Sequence, residues 1–299
     1  MTAALEARAM VRRFAAVEAL AGLTFAVAPG ELFGLVGPDG AGKTTAIRAL
    51  SGLLALDAGT ALVLGRQPGQ ARDFLGLLPQ QYSLYRDLTV AENLHFFSRL
   101  YLLPRATFEQ RSRRLLEITG LSGFADRRAD ALSGGMYKKL ALACALLHEP
   151  KVLLLDEPTS GVDPLSRREL WTLLHEFVRG GMAVLLSTPY MDEAERCTRV
   201  GLLHRGRLLL EGDPRDLLLQ VPAEVREVSG APRERIESAL AGLVQVWSAA
   251  PSGSRLRILL APGSEAGVAA VLEPLGASMR PVAPRFEDLF IARLHQEAA

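Results

Sequence analysis

Residues 37–44 read GPDGAGKT and fit the spacing G-x-x-x-x-G-K-[ST]. Glycines at 37, 40 and 42 let the backbone turn tightly and aim successive N–H groups at one anion. Gly37, Pro38, Asp39, Gly40, Ala41 and Gly42 would form the cradle, and Lys43 would bring a flexible point charge to the β- and γ-phosphates of a nucleotide. Thr44 supplies a hydroxyl of the kind that ligates Mg²⁺, and the hydroxyl of Thr45 can reach an α-phosphate. A plain glycine-rich turn before a helix explains the glycines but not the adjacent Lys-Thr pair.

Hydrolysis needs an acid as well. VLLLDE (152–157) is a short apolar run ending in Asp156 and Glu157. At the carboxyl end of a buried strand, where open α/β sheets place their ligands, Asp156 would hold Mg²⁺ through water, and Glu157 would polarise an attacking water. A strand that simply reaches solvent and ends in charges is the competing account. Taken alone the two are about even; the phosphate loop in the same chain favours the first.

These residues need a frame. ELFGLVG (31–37) reads as a strand and KTTAIRALSGLL (43–54) as a helix, the context a phosphate loop requires. FLGLLPQ (74–80), KVLLLDE (151–157) and MAVLLST (182–188) are further apolar strands, and RRELWTLLHEFVRG between the last two has helical spacing. Strands buried on both faces and separated by helices predict a mainly parallel sheet. Residues 1–30 alternate loosely and predict an N-terminal antiparallel β subdomain. From about 82 to 150, TVAENLHFFSRLYL, FEQRSRRLLEITGL and GGMYKKLALACALL predict a helical subdomain. Beyond about residue 220 the order strand, helix, strand, strand, helix, then a strand or helix predicts a small α+β appendage over 221–299. The class is thus α/β, a P-loop NTPase domain over 1–220 with an accessory domain.

Composition bounds the rest. The 299 residues carry 34 basic and 33 acidic side chains, a net charge of +1 that argues against a general nucleic-acid coat. Two cysteines, neither in a CxxC pair, speak against a disulfide framework or zinc site and fit a reducing cytosol. Arg8, Arg12 and Arg13 are followed by no apolar signal core. No run approaches ~18 uninterrupted apolar residues, so any membrane role is expected to be peripheral and the isolated chain soluble.

A third motif carries a family resemblance. LSGGMYKKLALACALLHEPKVLLLDEPTSGVD (132–163) resembles the signature region of ATP-binding cassette proteins. The resemblance covers about residues 3–220 and extends only weakly to the C-terminal segment. It implies that Ser133, Gly134 and Gly135 cap the γ-phosphate of a nucleotide held on another subunit, in a head-to-tail dimer with two shared ATP sites. A helix cap is the plainer role for Ser133. SGVD (160–163) resembles the loop linking the two sites, with Asp163 at its end. Gln80 resembles the glutamine that senses Mg²⁺ and attacking water, and QYSLYRDLTVAENL after it would face an integral-membrane permease subunit. Phe14 would stack on adenine, with a core aromatic at a strand end nearly as good an account.

LSTPY (186–190) departs from the family pattern. Pro189 stands where the family has a histidine that contacts the γ-phosphate, and proline can neither donate nor accept there. The histidines, at 95, 148, 175, 204 and 295, all lie elsewhere. Pro189 would suit the first position of a helix with Thr188 as N-cap, and Asp192 and Glu193 would then fall in its first turns. Slowed hydrolysis, rather than none, is expected.

The resemblance implies an exporter-type ATPase subunit at the cytoplasmic face of a membrane, using ATP and Mg²⁺. Its partners would be permease subunits and a second cassette, identical or different, with no nucleic acid expected. A non-transport ATPase acting on DNA or ribosomes usually carries a long coiled coil or two cassettes, and this sequence has neither. A regulatory module whose hydrolysis does not matter stays open because of Pro189.

Overall fold

The computed structural model describes residues 3–81 and 83–298. The chain forms two compact units, Met1–Glu211 and Gly212–Ala299.

In the first unit, β1 (Leu5–Phe14) and β2 (Val17–Val27) form an antiparallel hairpin. β3 (Leu32–Val36) leads through the glycine-rich loop into α1 (Lys43–Leu50). β4 (Ala58–Val63) then returns to the free edge of β1 and completes a three-stranded antiparallel sheet of order β2-β1-β4. After β5 (Leu75–Leu78), three helices follow: α2 (Val90–Leu100), α3 (Arg105–Ile118) and α4 (Gly134–Leu146). α2 starts with a reciprocal cap, in which Thr89 Oγ1 accepts the Glu92 N–H at 3.1 Å and Glu92 Oε2 accepts the Thr89 N–H at 2.8 Å. Tyr82, in the segment expected to face a permease, lies outside the described residues.

β6 (Val152–Asp156), α5 (Pro164–Arg179), β7 (Ala183–Thr188), β8 (Arg199–His204) and β9 (Arg207–Gly212) complete the unit. The main sheet has the order β5-β6-β7-β3-β8-β9, and its first five strands are parallel. Every residue of β3, β6 and β7 is buried. Sequences apolar on both faces suit a sheet covered on both sides, here by helices and by the antiparallel sheet. The register sets the chemistry: Asp156 pairs with Ser187, and Val36 pairs with Thr188. Three neighbouring strands therefore end at one level, at the edge where the phosphate loop leaves β3.

The second unit begins with α6 (Pro214–Leu219), so the chain divides at Glu211 rather than near residue 220. α6 packs on the last helix of this unit, which moves the boundary forward. Next come β10 (Glu224–Ser229), α7 (Arg233–Leu240), β11 (Val246–Ser252), β12 (Arg255–Leu260), α8 (Glu265–Leu272), β13 (Ser278–Pro281) and α9 (Phe286–Ala298). The open choice at the end of the chain resolves as a strand and then a helix. The four strands form an antiparallel sheet of order β11-β12-β10-β13. Val228, Ile258 and Leu260 pack with Ile236 and Val268 of α7 and α8. Val225 and Leu259 pack instead with Ala292 of α9, so helices cover both faces.

Candidate functional site

The loop between β3 and α1 depends on glycine. Gly40 and Gly42 have φ of 78° and 109°, and a Cβ on Gly42 would stand 2.3 Å from the Ala19 oxygen. At Gly37 a Cβ would stand 2.2 Å from the Leu203 oxygen. Pro38 and Ala41 close a turn, the Ala41 N–H donating to the Pro38 oxygen at 3.2 Å.

Lys43 is 4% exposed. Its Nζ donates to the Gly37 and Pro38 oxygens at 2.9 and 3.0 Å and stands 3.6 Å from Glu157 Oε1. Asp39 Oδ1 is 3.9 Å away on an almost fully exposed side chain. The loop's own carbonyls thus hold the ammonium at its mouth. Thr45, the third residue of α1, is half-buried.

Thr44 Oγ1 donates to Asp156 Oδ1 at 3.1 Å, joining α1 to the end of β6. Ser187 Oγ donates to the same oxygen at 2.6 Å. Glu157, 6% exposed, has φ 48°, a left-handed conformation that costs a non-glycine residue about 1–3 kcal/mol. Ser187 holds it there: the Glu157 N–H donates to the Ser187 oxygen and Oγ, both at 3.1 Å. Gln80 Nε2 donates to Glu157 Oε2 at 2.8 Å. Lys43, Thr44, Gln80, Asp156 and Glu157 are thus brought together.

Two residues absent from the sequence reading belong to this cluster. Ser187 was legible in part, since a polar residue within a buried strand needs a partner. Lys138, one turn into α4, donates from Nζ to the Gln80 oxygen at 3.1 Å, and only tertiary packing reveals that. Burial holds the Lys138 ammonium below its ordinary pKa, while Asp156 and Glu157 pull it back up. Gln80, Arg86, Gly134, Tyr137, Lys138 and Ser160 line a cavity of about 400 Å³ beside this cluster.

Ser133 caps α4, its Oγ accepting the Met136 N–H at 3.3 Å. Gly134 and Gly135 open the helix against α5, and a Cβ on Gly135 would stand 2.2 Å from Ser166 Oγ. Asp163 caps α5 by accepting the N–H groups of Leu165 and Ser166 at 3.1 and 3.0 Å. The bonds from Ser166, then that from Leu165, hold its carboxyl below its ordinary range. Among the described residues, no hydrogen bond or ion pair joins Ser133, Gly134 or Gly135 to residues 37–45. Phe14 is not a core aromatic: its ring is 46% exposed with the Arg12 guanidinium 4.8 Å above it.

Pro189 does not begin a helix. The turn of 3₁₀ helix spans Met191–Arg196, and Tyr190 precedes it without a side-chain cap. Thr188 Oγ1 accepts the Tyr190 N–H at 3.1 Å and donates to Glu193 Oε2 at 2.6 Å. Its hydroxyl therefore closes a local turn around Pro189 instead of capping a helix.

Known proteins resemble this chain in sequence and in fold. Residues 20–160 match the family model described as ABC transporter. The probable multidrug ABC transporter ATP-binding protein YbhF of Escherichia coli is 43% identical over 247 residues, which is 81% of this chain but 42% of that protein. The chain thus spans less than half the length of that relative. The Nod factor export ATP-binding protein I of Ralstonia nicotianae is 39% identical over 250 residues, 82% of this chain and 78% of that one. A solved structure of the ATP binding subunit of an ABC transporter superposes with a TM-score of 0.67 at 32% identity, covering 73% of this chain and 93% of the other.

Proposed function

The chain belongs to the ABC transporter family of ATP-binding proteins, and on that premise we propose that it binds and hydrolyses ATP to drive export through separate permease subunits. The observation that carries the reading is the convergence of Lys43, Thr44, Asp156, Glu157 and Gln80 on one edge of the sheet. The backbone N–H groups of residues 37–42 and the N-terminus of α1 cradle the phosphates. Lys43 exchanges its carbonyl partners for phosphate oxygens. Thr45 is assigned to the α-phosphate, and Phe14 offers an exposed ring to adenine.

Thr44 and Asp156 present hard oxygen ligands 3.1 Å apart, a set that suits Mg²⁺ alongside phosphates and water. Bound there, Mg²⁺ would neutralise charge on the phosphates. Glu157 orients a water for in-line attack and accepts its proton, and Gln80 fixes that carboxylate. The bond from Ser187 and the left-handed backbone keep Glu157 aimed into the site. Pro189 offers the γ-phosphate no donor, so turnover at this site is slow.

Ser133 caps α4, Gly134 and Gly135 form its first turn, and their N–H groups are assigned to the phosphates of a second cassette, with Asp163 near the join. Among the described residues no helix is long and apolar enough to cross a membrane. Membrane association at the cytoplasmic face would therefore run through permease subunits. Exposed Tyr85 and Phe96, in edge contact at 4.5 Å between ring centroids, offer those subunits an apolar surface. The test is ATP hydrolysis by the purified chain together with its capture of an integral-membrane protein from solubilised membranes. Turnover that survives Glu157→Gln would overturn the hydrolytic assignment, and absence of a membrane partner would overturn the transport assignment.

A further inference from the structure

Behind the switch segment lies a carboxylate that hydrolysis does not use. Glu193 is 1% exposed. Its Oε2 accepts from Thr188 Oγ1 at 2.6 Å and from Thr159 Oγ1 at 3.1 Å. Its Oε1 stands 3.8 Å from Arg167 Nε, and among the described residues neither of those two atoms has a hydrogen-bond partner. Burying a half-satisfied carboxylate costs stability that a leucine would not. Packing alone therefore does not account for it.

Its partners come from three segments. Thr188 ends β7 and adjoins Pro189. Thr159 stands between Glu157 and the loop that runs to Asp163. Arg167 lies on α5, its N–H donating to the Asp163 oxygen at 2.9 Å and its guanidinium 4.8 Å over the Tyr190 ring. Each segment reaches the same carboxylate group, and Pro189 brings no polar side chain of its own to hold the switch.

We infer that Glu193 is a positioning residue that locks residues 188–190 to residues 159–163, so that movement of either segment is passed to the other. The inference rests on the hydrolytic reading above. It deepens that reading by giving a chain whose switch residue is a proline an internal anchor for that switch.

Amide hydrogen exchange on the full-length chain, read beside ATP turnover, tests this. Thr188→Val and Thr159→Val each remove one hydroxyl at nearly constant shape. Glu193→Gln keeps an acceptor oxygen for both threonines, and Glu193→Leu keeps none. Thr188→Val is expected to speed exchange about 10-fold in 159–163 as well as in its own segment, and Thr159→Val to do the reverse. In Glu193→Leu, kcat is expected to fall about 10-fold or more with KM near the parental value, and Glu193→Gln to recover most of that loss. Faster exchange confined to the mutated segment would overturn the inference, as would parental kcat in Glu193→Leu. If Glu193→Leu does not fold, the threonine variants decide. Parental turnover that Glu157→Gln leaves intact would instead defeat the hydrolytic reading, while the exchange result still judges the coupling by itself.

Discussion

Gln80 and Glu157, far apart in the chain, are joined by one hydrogen bond of 2.8 Å from the amide Nε2 to the carboxylate Oε2. The bond turns the loop after β5 into a support for the carboxylate at the end of β6. Glu157→Gln keeps the shape but removes the proposed proton acceptor, so ATP turnover is expected to fall by about 10²–10⁴-fold with nucleotide still bound. Gln80→Ala leaves the base in place but free to turn, and the expected loss is smaller, about 10-fold. Steady-state ATPase and equilibrium nucleotide binding on the same preparations separate the two. Equal losses in both variants would mean that the amide does more than orient.

Pro189 sets the second prediction. Thr188 shapes the turn and Glu193 anchors it, so the proline is not needed to start a helix. Pro189→His therefore adds an imidazole donor at the proposed switch position without dismantling a cap. Turnover is expected to rise about 10-fold, below the ~10²–10³ that a fully aligned donor contributes. An unchanged rate in the assembled transporter would show that the imidazole does not limit this site.

Placement that follows from local spacing is legible in the sequence itself. Gly37 to Thr44 sit between a strand and a helix because apolar runs and glycine punctuation are local signals. The apolar runs of β3, β6 and β7 likewise announced a covered parallel sheet. Pairing across the fold was not legible. Lys138 reaches the Gln80 oxygen, and Thr159 and Thr188 share Glu193, only because packing of α4, β6 and β7 brings them together. The Thr188-Pro189 reading failed for a related reason. Its hydroxyl had two uses, capping a helix or bonding to a buried acid, and the buried acid won because an unpaired carboxylate costs more than a missing cap.

Gly135 gives a stability prediction in which two effects oppose. Alanine is better than glycine in a helix by about 1 kcal/mol. Here its Cβ would stand 2.2 and 2.4 Å from Ser166 Oγ and Cβ, so α4 must move off α5. Overpacking of this kind costs about 1–3 kcal/mol, and Gly135→Ala is expected to lower the urea midpoint. At Gly134 the nearest atom is the Gly161 oxygen at 3.1 Å, and Gly134→Ala is expected to be milder. Adding Ser166→Gly to Gly135→Ala should restore part of the loss. A double variant no better than the single one would place the strain elsewhere.

His148 is expected to make the first unit less stable in mild acid. Its ring stacks on Tyr101 at 3.9 Å, Nε2 meets the Leu75 oxygen at 3.1 Å, and Nδ1 is buried with no hydrogen-bond partner among the described residues. Burial pushes its pKa below the ordinary 6.5, against the Leu75 bond and the attraction of Asp73 and with the help of Arg111. The unfolded chain therefore takes up the proton first as pH falls. Stability contributed by the neutral ring is full above about 6.5, declines as pH drops below that value, and levels off once the folded form is protonated too. His175, also lowered by burial and by Arg179 and Arg196, acts in the same direction. His148→Phe keeps the stack but removes the titration. Its urea stability should vary less between neutral and mildly acid pH than that of the parent, with His175 accounting for a residual slope. An undiminished slope would mean that the acid sensitivity arises from other groups.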